Sequence, residues 1–209
     1  MRAVFFDIGE TLINETRVWS DLADFLDIPA MTLFGVLGAL IEQRRDHRDL
    51  LPIVRPDLDW KDVVNGFGAR ASYLPRDLYP DAVPTLEALK QERYFVGIVG
   101  NQPVERLADL LAMNLPAELI ATSASWSLRK PEPAFFERVV REAGCDPSQI
   151  LYIGDRVDND IVPASAAGLV PIHIIRGPWG YIHKNWPEAA KARAQITSLA
   201  EVPGILARL

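Results

Sequence analysis

A single cysteine, Cys145, stands in 209 residues. One cysteine cannot close an internal disulfide, so the sequence carries no mark of an oxidising compartment. Cys145 lies in Ala143-Gly144-Cys145-Asp146-Pro147, which reads as a helix end with no histidine or lysine beside it to activate a thiol. It is expected as packing filler. Long apolar runs are also missing. No stretch reaches the roughly 18 residues that a membrane span requires, so no contact with a membrane is expected. The opening MRAVFFDIGETL is interrupted by Asp7 and has no small-residue cleavage site. A cytoplasmic protein is the expectation. Positive charge is scarce as well: 22 Lys and Arg against 28 Asp and Glu leave a formal net charge of -6. That excludes a broad basic surface for nucleic acid or anionic lipid, and an anionic ligand must find its cations locally. The three histidines, His47, His173 and His183, are scattered without metal-ligand spacing.

What is present is ordinary globular material. Hydrophobic residues make up 49% of the chain, enough to exclude wholesale disorder. Apolar runs at 3–6, 95–99, 119–122, 150–153 and 172–175 have strand character, and a sixth lies near 195–197. None alternates cleanly between apolar and polar, as expected for strands covered on both faces of a parallel sheet. Helical periodicity fills 104–113, 133–143 and 161–167. Strand and helix alternate, so the body is expected to be a doubly wound α/β sheet. Residues 14–79 break the rhythm. They carry helical patterns at 18–26, 31–41 and 60–67, punctuated by Pro29, Pro52 and Pro56. The expected organisation is a core of 1–13 and 80–209 with an all-helical insertion over 14–79.

The chemically active residues gather where strands end. Asp7 follows the first run, Gly100 and Asn101 the second, Lys130 the third after a loop, and Asp155 and Asp160 the fourth. Open α/β sheets bind ligands at the carboxyl ends of their strands, so four separate segments are expected to build one site. Singly, each has a simpler reading. Asp7 can cap a turn, Asp155 and Asp160 can cap a helix, and Lys130 can be a surface residue before Pro131.

Together the four segments resemble the motifs of the haloacid-dehalogenase-like hydrolase superfamily, in the family's order. FFDIGETL resembles the first, VGIVGNQP the second, SLRKPEPAFFERV the third and ILYIGDRVDNDIVPASAAGL the fourth; RGPWG after the fifth run is also similar. The resemblance implies a Rossmann-like core with a helical cap and metal-dependent hydrolysis of a small phosphorylated compound. Asp7 is then the nucleophile, oriented by Thr11. Lys130 and Asn101 hold the phosphate. Asp7, Asp155, Asp160 and the Gly9 carbonyl hold Mg2+. The chemistry is coherent: a carboxylate attacks a phosphate anion only where cations screen the repulsion, and magnesium prefers hard oxygen ligands.

Two positions depart from the resemblance. Family phosphatases usually carry a second Asp two residues after the nucleophile, as a proton donor and acceptor; here it is Gly9. The second motif usually ends in a hydroxyl residue; here it is Gly100. Glu10, beside the missing acid, is expected to face the cap or solvent, with a substitute acid–base role as the alternative. In the insertion, Glu42-Gln43-Arg44-Arg45-Asp46-His47-Arg48 reads as a solvated face, and Arg44 and Arg48 share one side of a helix as the candidate cations for an anionic substrate. A 2-haloacid dehalogenase also lacks the second Asp, but works without metal, and its fourth motif resembles Ser-Ser-Asn rather than Gly154-Asp155. A phosphonate hydrolase needs a cap lysine, for which Lys61 is the one candidate. A non-catalytic binder of a phosphorylated ligand or protein is the alternative of another class. The natural substrate and the oligomeric state are not written in the sequence.

Overall fold

The computed structural model describes residues 1–68 and 71–209. They form two compact units, one of Met1–Asn14 with Leu74–Leu209 and one of Glu15–Tyr73.

The first unit is built on a six-stranded parallel sheet. Its strands are β1 (Ala3–Phe6), β2 (Phe95–Gly100), β3 (Leu119–Thr122), β4 (Ile150–Gly154), β5 (Val170–Ile174) and β6 (Ala194–Ile196), in the spatial order β3-β2-β1-β4-β5-β6. The expected doubly wound α/β architecture is therefore what the chain adopts. Continuous apolar runs became the central strands because both faces are covered: Ala3, Val4, Phe5 and Phe6 are all fully buried. On one face, Phe5 and Tyr152 pack with Phe135, Phe136 and Val139 from the helix Pro133–Ala143. Phe136 meets Phe135 and Tyr152 edge-on, with centroids 5.4 and 5.3 Å apart. Each such ring contributes about 1.5–3 kcal/mol by leaving water. The helix ends where Gly144 turns left-handed, at φ 61.

The chain winds outward from β1 through β2 to β3, then crosses back to β4 on the other side of β1. The direction of winding thus reverses between β1 and β4, and the carboxyl ends of such a pair are where open α/β sheets bind ligands. Phe6 stands level with Ile153, and the Asp7 amide continues the ladder by donating to the Ile153 carbonyl at 2.8 Å.

The second unit is helical among its described residues: Thr16–Phe25, Ala30–Glu42, Leu50–Val54 and Trp60–Phe67. Leu22, Leu33, Leu37, Leu40, Ile41 and Leu50 form its interior. Among the described residues no single helix is long and apolar enough to cross a membrane.

Two expectations are corrected here. Residues 74–79 belong with the sheet unit, not the insertion. Asn14 N donates to the Asp77 carbonyl at 2.7 Å, Tyr79 N donates to the Leu12 carbonyl at 2.9 Å, and Ile13 bridges Leu78. Arg44 and Arg48 do not share a helix face. Ala30–Glu42 ends first, Arg44 is left-handed at φ 57, and Arg48 lies in a separate 3-10 turn, His47–Asp49. The helix Ala82–Gln91, whose Leu86 and Leu89 are buried, was not anticipated.

Candidate active site

The loop after β1 is tight. Leu12 and Ile13 both donate to the Ile8 carbonyl at 2.9 Å, and Glu10 N donates to the Ile13 carbonyl at 2.7 Å. Asp7 emerges from it 6% exposed. Lys130, brought in by the loop before the helix Pro133–Ala143, donates from Nζ to Asp7 Oδ1 at 2.6 Å and to Asp160 Oδ1 at 2.5 Å. Asp160 stands on a π-helical turn, Val157–Ile161, and its other oxygen accepts from Arg156 N at 3.0 Å. Asp155 completes the cluster: one carboxylate oxygen from each of Asp7, Asp155 and Asp160 lies within 4.8 Å of the others, and all three residues are buried.

Three buried carboxylates thus face one buried ammonium. Burial pushes Asp155 well above the usual carboxylate range, reinforced by Asp160, Asp7 and Glu10. Asp160 rises to about 6 by burial, with Lys130 opposing. Lys130 is held well above its ordinary value by Asp160 and Asp7, although burial alone lowers it. The cluster therefore holds more acid groups than its one lysine can balance, and Asp155 and Asp160 tend to keep protons.

The supports come from positions that are distant in sequence. Asp160 fits against the end of β4 because residue 154 has no side chain; a Cβ there would lie 2.4 Å from Asp160 Cγ. The Tyr152 ring lies beneath the ammonium, with Lys130 Nζ 5.9 Å from its centroid. His173 Nε2 stands 2.9 Å from the Asp155 carbonyl, which only accepts, so that nitrogen carries the proton. Burial lowers the pKa of this ring and keeps it neutral.

The Asn101 side chain is hydrogen-bonded to the main chain of Lys130. Its Nδ2 donates to the Lys130 carbonyl and its Oδ1 accepts from Lys130 N, both at 2.8 Å, so the amide fixes the lysine's main chain. Thr11 is buried, yet its hydroxyl has no hydrogen-bond partner and the expected bond to Asp7 is not made.

Glu10 departs furthest from expectation. It is 4% exposed, not solvent-facing, and occupies a left-handed position at φ 49. The Tyr79 hydroxyl donates to its Oε2 at 2.5 Å. Burial and the neighbouring Glu10 charge raise the Tyr79 pKa, so the phenol keeps its proton. Gly177, also left-handed at φ 56, leaves the room Glu10 fills; a Cβ there would lie 2.4 Å from Glu10 Cγ. Arg176 stacks over the Tyr79 ring at 4.2 Å, donates to the Thr11 carbonyl at 2.9 Å and pairs with Asp81. RGPWG is thus the support of the loop that carries Asp7 and Glu10. Sequence reasoning noted the motif but missed Tyr79 and the role of Arg176, for which the sequence holds no local signal. Arg44, Arg48 and Lys61 all lie in the second unit.

Known proteins resemble this chain over most of its length. A glyceraldehyde 3-phosphate phosphatase of Methanopyrus kandleri is 27% identical over 86% of this chain and 86% of its own length. The crystal structure of a phosphatase of this family from Thermococcus onnurineus is 26% identical, with TM-score 0.62, covering 99% of this chain and 98% of that one. A 2-haloacid dehalogenase from Pseudomonas syringae pv. Tomato also shares the fold, at 22% identity and TM-score 0.62, over 100% of this chain and 99% of that one. The family model described as haloacid dehalogenase-like hydrolase matches residues 1–168. With that match spanning most of the chain, Asp7, Lys130, Asp155 and Asp160 included, this chain belongs to the haloacid dehalogenase-like hydrolase family.

Proposed function

We propose that this chain is a divalent-metal-dependent phosphatase that acts on a small phosphorylated compound through a phosphoryl group carried by Asp7. The observation that carries the reading is the buried meeting of Asp7, Asp155 and Asp160 beyond the strand ends, with Asp7 and Asp160 sharing one cation, Lys130. The named activity of the Methanopyrus kandleri relative supports a short phosphorylated metabolite as the substrate class.

The donor set fits a hard divalent ion: three buried carboxylates with a single balancing lysine leave negative charge that such an ion would neutralise. Asp7, Asp155 and the Gly9 carbonyl would hold Mg2+ with Asp160 behind them, and the ion would screen the repulsion between carboxylate and phosphate. Asp7 then attacks phosphorus with one carboxylate oxygen, and the bond to the leaving oxygen breaks with its electron pair on that oxygen. Water next attacks the same phosphorus, the bond to the Asp7 oxygen breaks, and inorganic phosphate leaves. Lys130 holds the attacking carboxylate in place and sets a point charge beside the transferring group. Asn101 fixes the main chain of Lys130.

A panel of aryl and sugar phosphates with magnesium, repeated after exhaustive chelation, tests the proposal. Turnover that vanishes with the metal supports it. Halide release from a 2-haloacid, indifferent to chelation, would make this a dehalogenase. Phosphate binding without turnover would make it a non-catalytic member.

Gly9 sets a second expectation. With no acid at that position, leaving groups that need no proton are favoured, so aryl phosphates should outrun sugar phosphates. Gly9→Asp is expected to raise turnover on alkyl phosphates by about 10–10³-fold, below the roughly 10²–10⁴-fold of a fully positioned acid–base because Gly100 still lacks its hydroxyl. Among the described residues the left-handed glycines are Gly144, Gly168 and Gly177, so backbone conformation does not bar the substitution. A folded, metal-binding Gly9→Asp protein with unchanged alkyl phosphate turnover would show that the missing acid does not limit this chain. Glu10→Gln in the native background is the next comparison.

A further inference from the structure

Gly100 ends β2 where the family usually carries a hydroxyl, and the space over it is taken by another side chain. A Cβ built on Gly100 would lie 2.5 Å from Gln102 Oε1, 2.7 Å from Asp7 Oδ1 and 3.1 Å from Ile8 Cδ1. Gln102 therefore folds back across Gly100 and sets its amide beside the nucleophilic carboxylate. A side chain at position 100 and this fold-back exclude one another. The backbone under Gln102 is fixed, since its carbonyl accepts from Ser123 Oγ at 3.3 Å and from Ala124 N at 3.4 Å. Its side-chain Oε1 is buried with no hydrogen-bond partner. A buried, unmatched acceptor costs free energy. A half-turn of the terminal torsion exchanges it for the amide's two N–H donors.

We propose that Gln102 donates from its side-chain amide to an oxygen of the phosphoryl group at Asp7, supplying the hydrogen bond that Gly100 cannot make. The inference rests on the phosphatase reading above. The donor is neutral, so it adds no charge to a site whose cation is already committed to Asp7 and Asp160. It also accounts for the pairing of a glycine at 100 with an amide at 102: the first makes room and the second fills it.

The test is a double-mutant cycle of Gln102→Ala and Gly100→Ser, with Gln102→Glu as a near-isosteric control. The readouts are kcat/KM on 4-nitrophenyl phosphate and the affinity for inorganic phosphate by calorimetry, both with magnesium. Gln102→Ala is expected to lower kcat/KM by about 10²-fold, the loss that follows removal of one transition-state donor, and to weaken phosphate binding. Gln102→Glu should cost more. Gly100→Ser alone should be impaired because its side chain meets Gln102 and Asp7, and adding Gln102→Ala should recover part of the loss, so the two changes do not add. A folded Gln102→Ala protein with unchanged kcat/KM and phosphate affinity, or strictly additive changes, would overturn the proposal while the wild-type protein still turns over. If the wild type neither hydrolyses the ester nor binds phosphate, the phosphatase reading falls and the Gln102 proposal with it.

Discussion

Asp7→Asn is expected to abolish phosphate ester hydrolysis, with kcat falling on the order of 10⁴-fold or more, as for other enzymes that lose their nucleophile. The amide matches the carboxylate in shape and can still accept from Lys130 Nζ, now 2.6 Å from Oδ1. It also removes one of three crowded acid groups, so stability should hold or rise. That combination separates a nucleophile from a structural acid. A structural Asp7 would lose stability on substitution and keep activity in whatever remains folded. Steady-state kinetics alongside denaturant unfolding measures both. Retention of even a tenth of the wild-type rate would remove Asp7 from the chemistry.

Lys130→Ala has the second large effect, and it reaches folding as well as catalysis. The ammonium is 3% exposed and is the cation hydrogen-bonded to both Asp7 and Asp160. Removing one member of a buried charged set strands the others, at a cost of about 3–5 kcal/mol. The carboxylates can answer only by keeping protons. Asp160 already sits at about 6 by burial with the lysine present, and without it the value rises further. A carboxyl whose pKa is raised by folding binds more protons in the native than in the unfolded state, so stability falls as pH rises. The metal-free Lys130→Ala protein should therefore lose stability between about pH 5 and 8 more steeply than the wild type, by the same linkage. Urea midpoints at several pH values in a chelating buffer measure this. A flat profile with wild-type stability would show that Lys130 is not the counter-charge of the cluster.

The parts of the fold that were legible in the sequence rest on local signals. Unbroken apolar runs announced strands buried on both faces, and β1 to β6 formed where such runs lie. Helical spacing of Phe135, Phe136 and Val139 gave the helix that covers Tyr152. Asp7, Lys130, Asp155 and Asp160 could be grouped because each follows a strand, and the chain's reversal between β1 and β4 brings those strand ends together. What was not legible depends on partners far along the chain. Glu10 is buried because Tyr79 donates to it and Gly177 leaves room, and nothing beside Glu10 predicts either. The pairing of the Asn101 side chain with the Lys130 main chain, 29 residues on, has no local mark in the sequence either. Gln102 owes its place to an absence at Gly100, and pattern reading does not score what a missing side chain admits. Arg44 and Arg48 were paired by helical spacing, which fails once the helix stops at Glu42.

In the proposed cycle Asp7 carries the phosphoryl group and a divalent metal is needed to place it there. The most direct measurement is acid quench of the enzyme during turnover of 4-nitrophenyl phosphate, followed by peptide mass spectrometry. The predicted result is a hydroxylamine-labile phosphoryl group on the peptide that contains Asp7, present with magnesium, absent after chelation and absent in Asp7→Asn. Rapid hydrolysis with no phosphoryl group on that peptide, or labelling of Asp7 that is unchanged after the metal is removed, would contradict it.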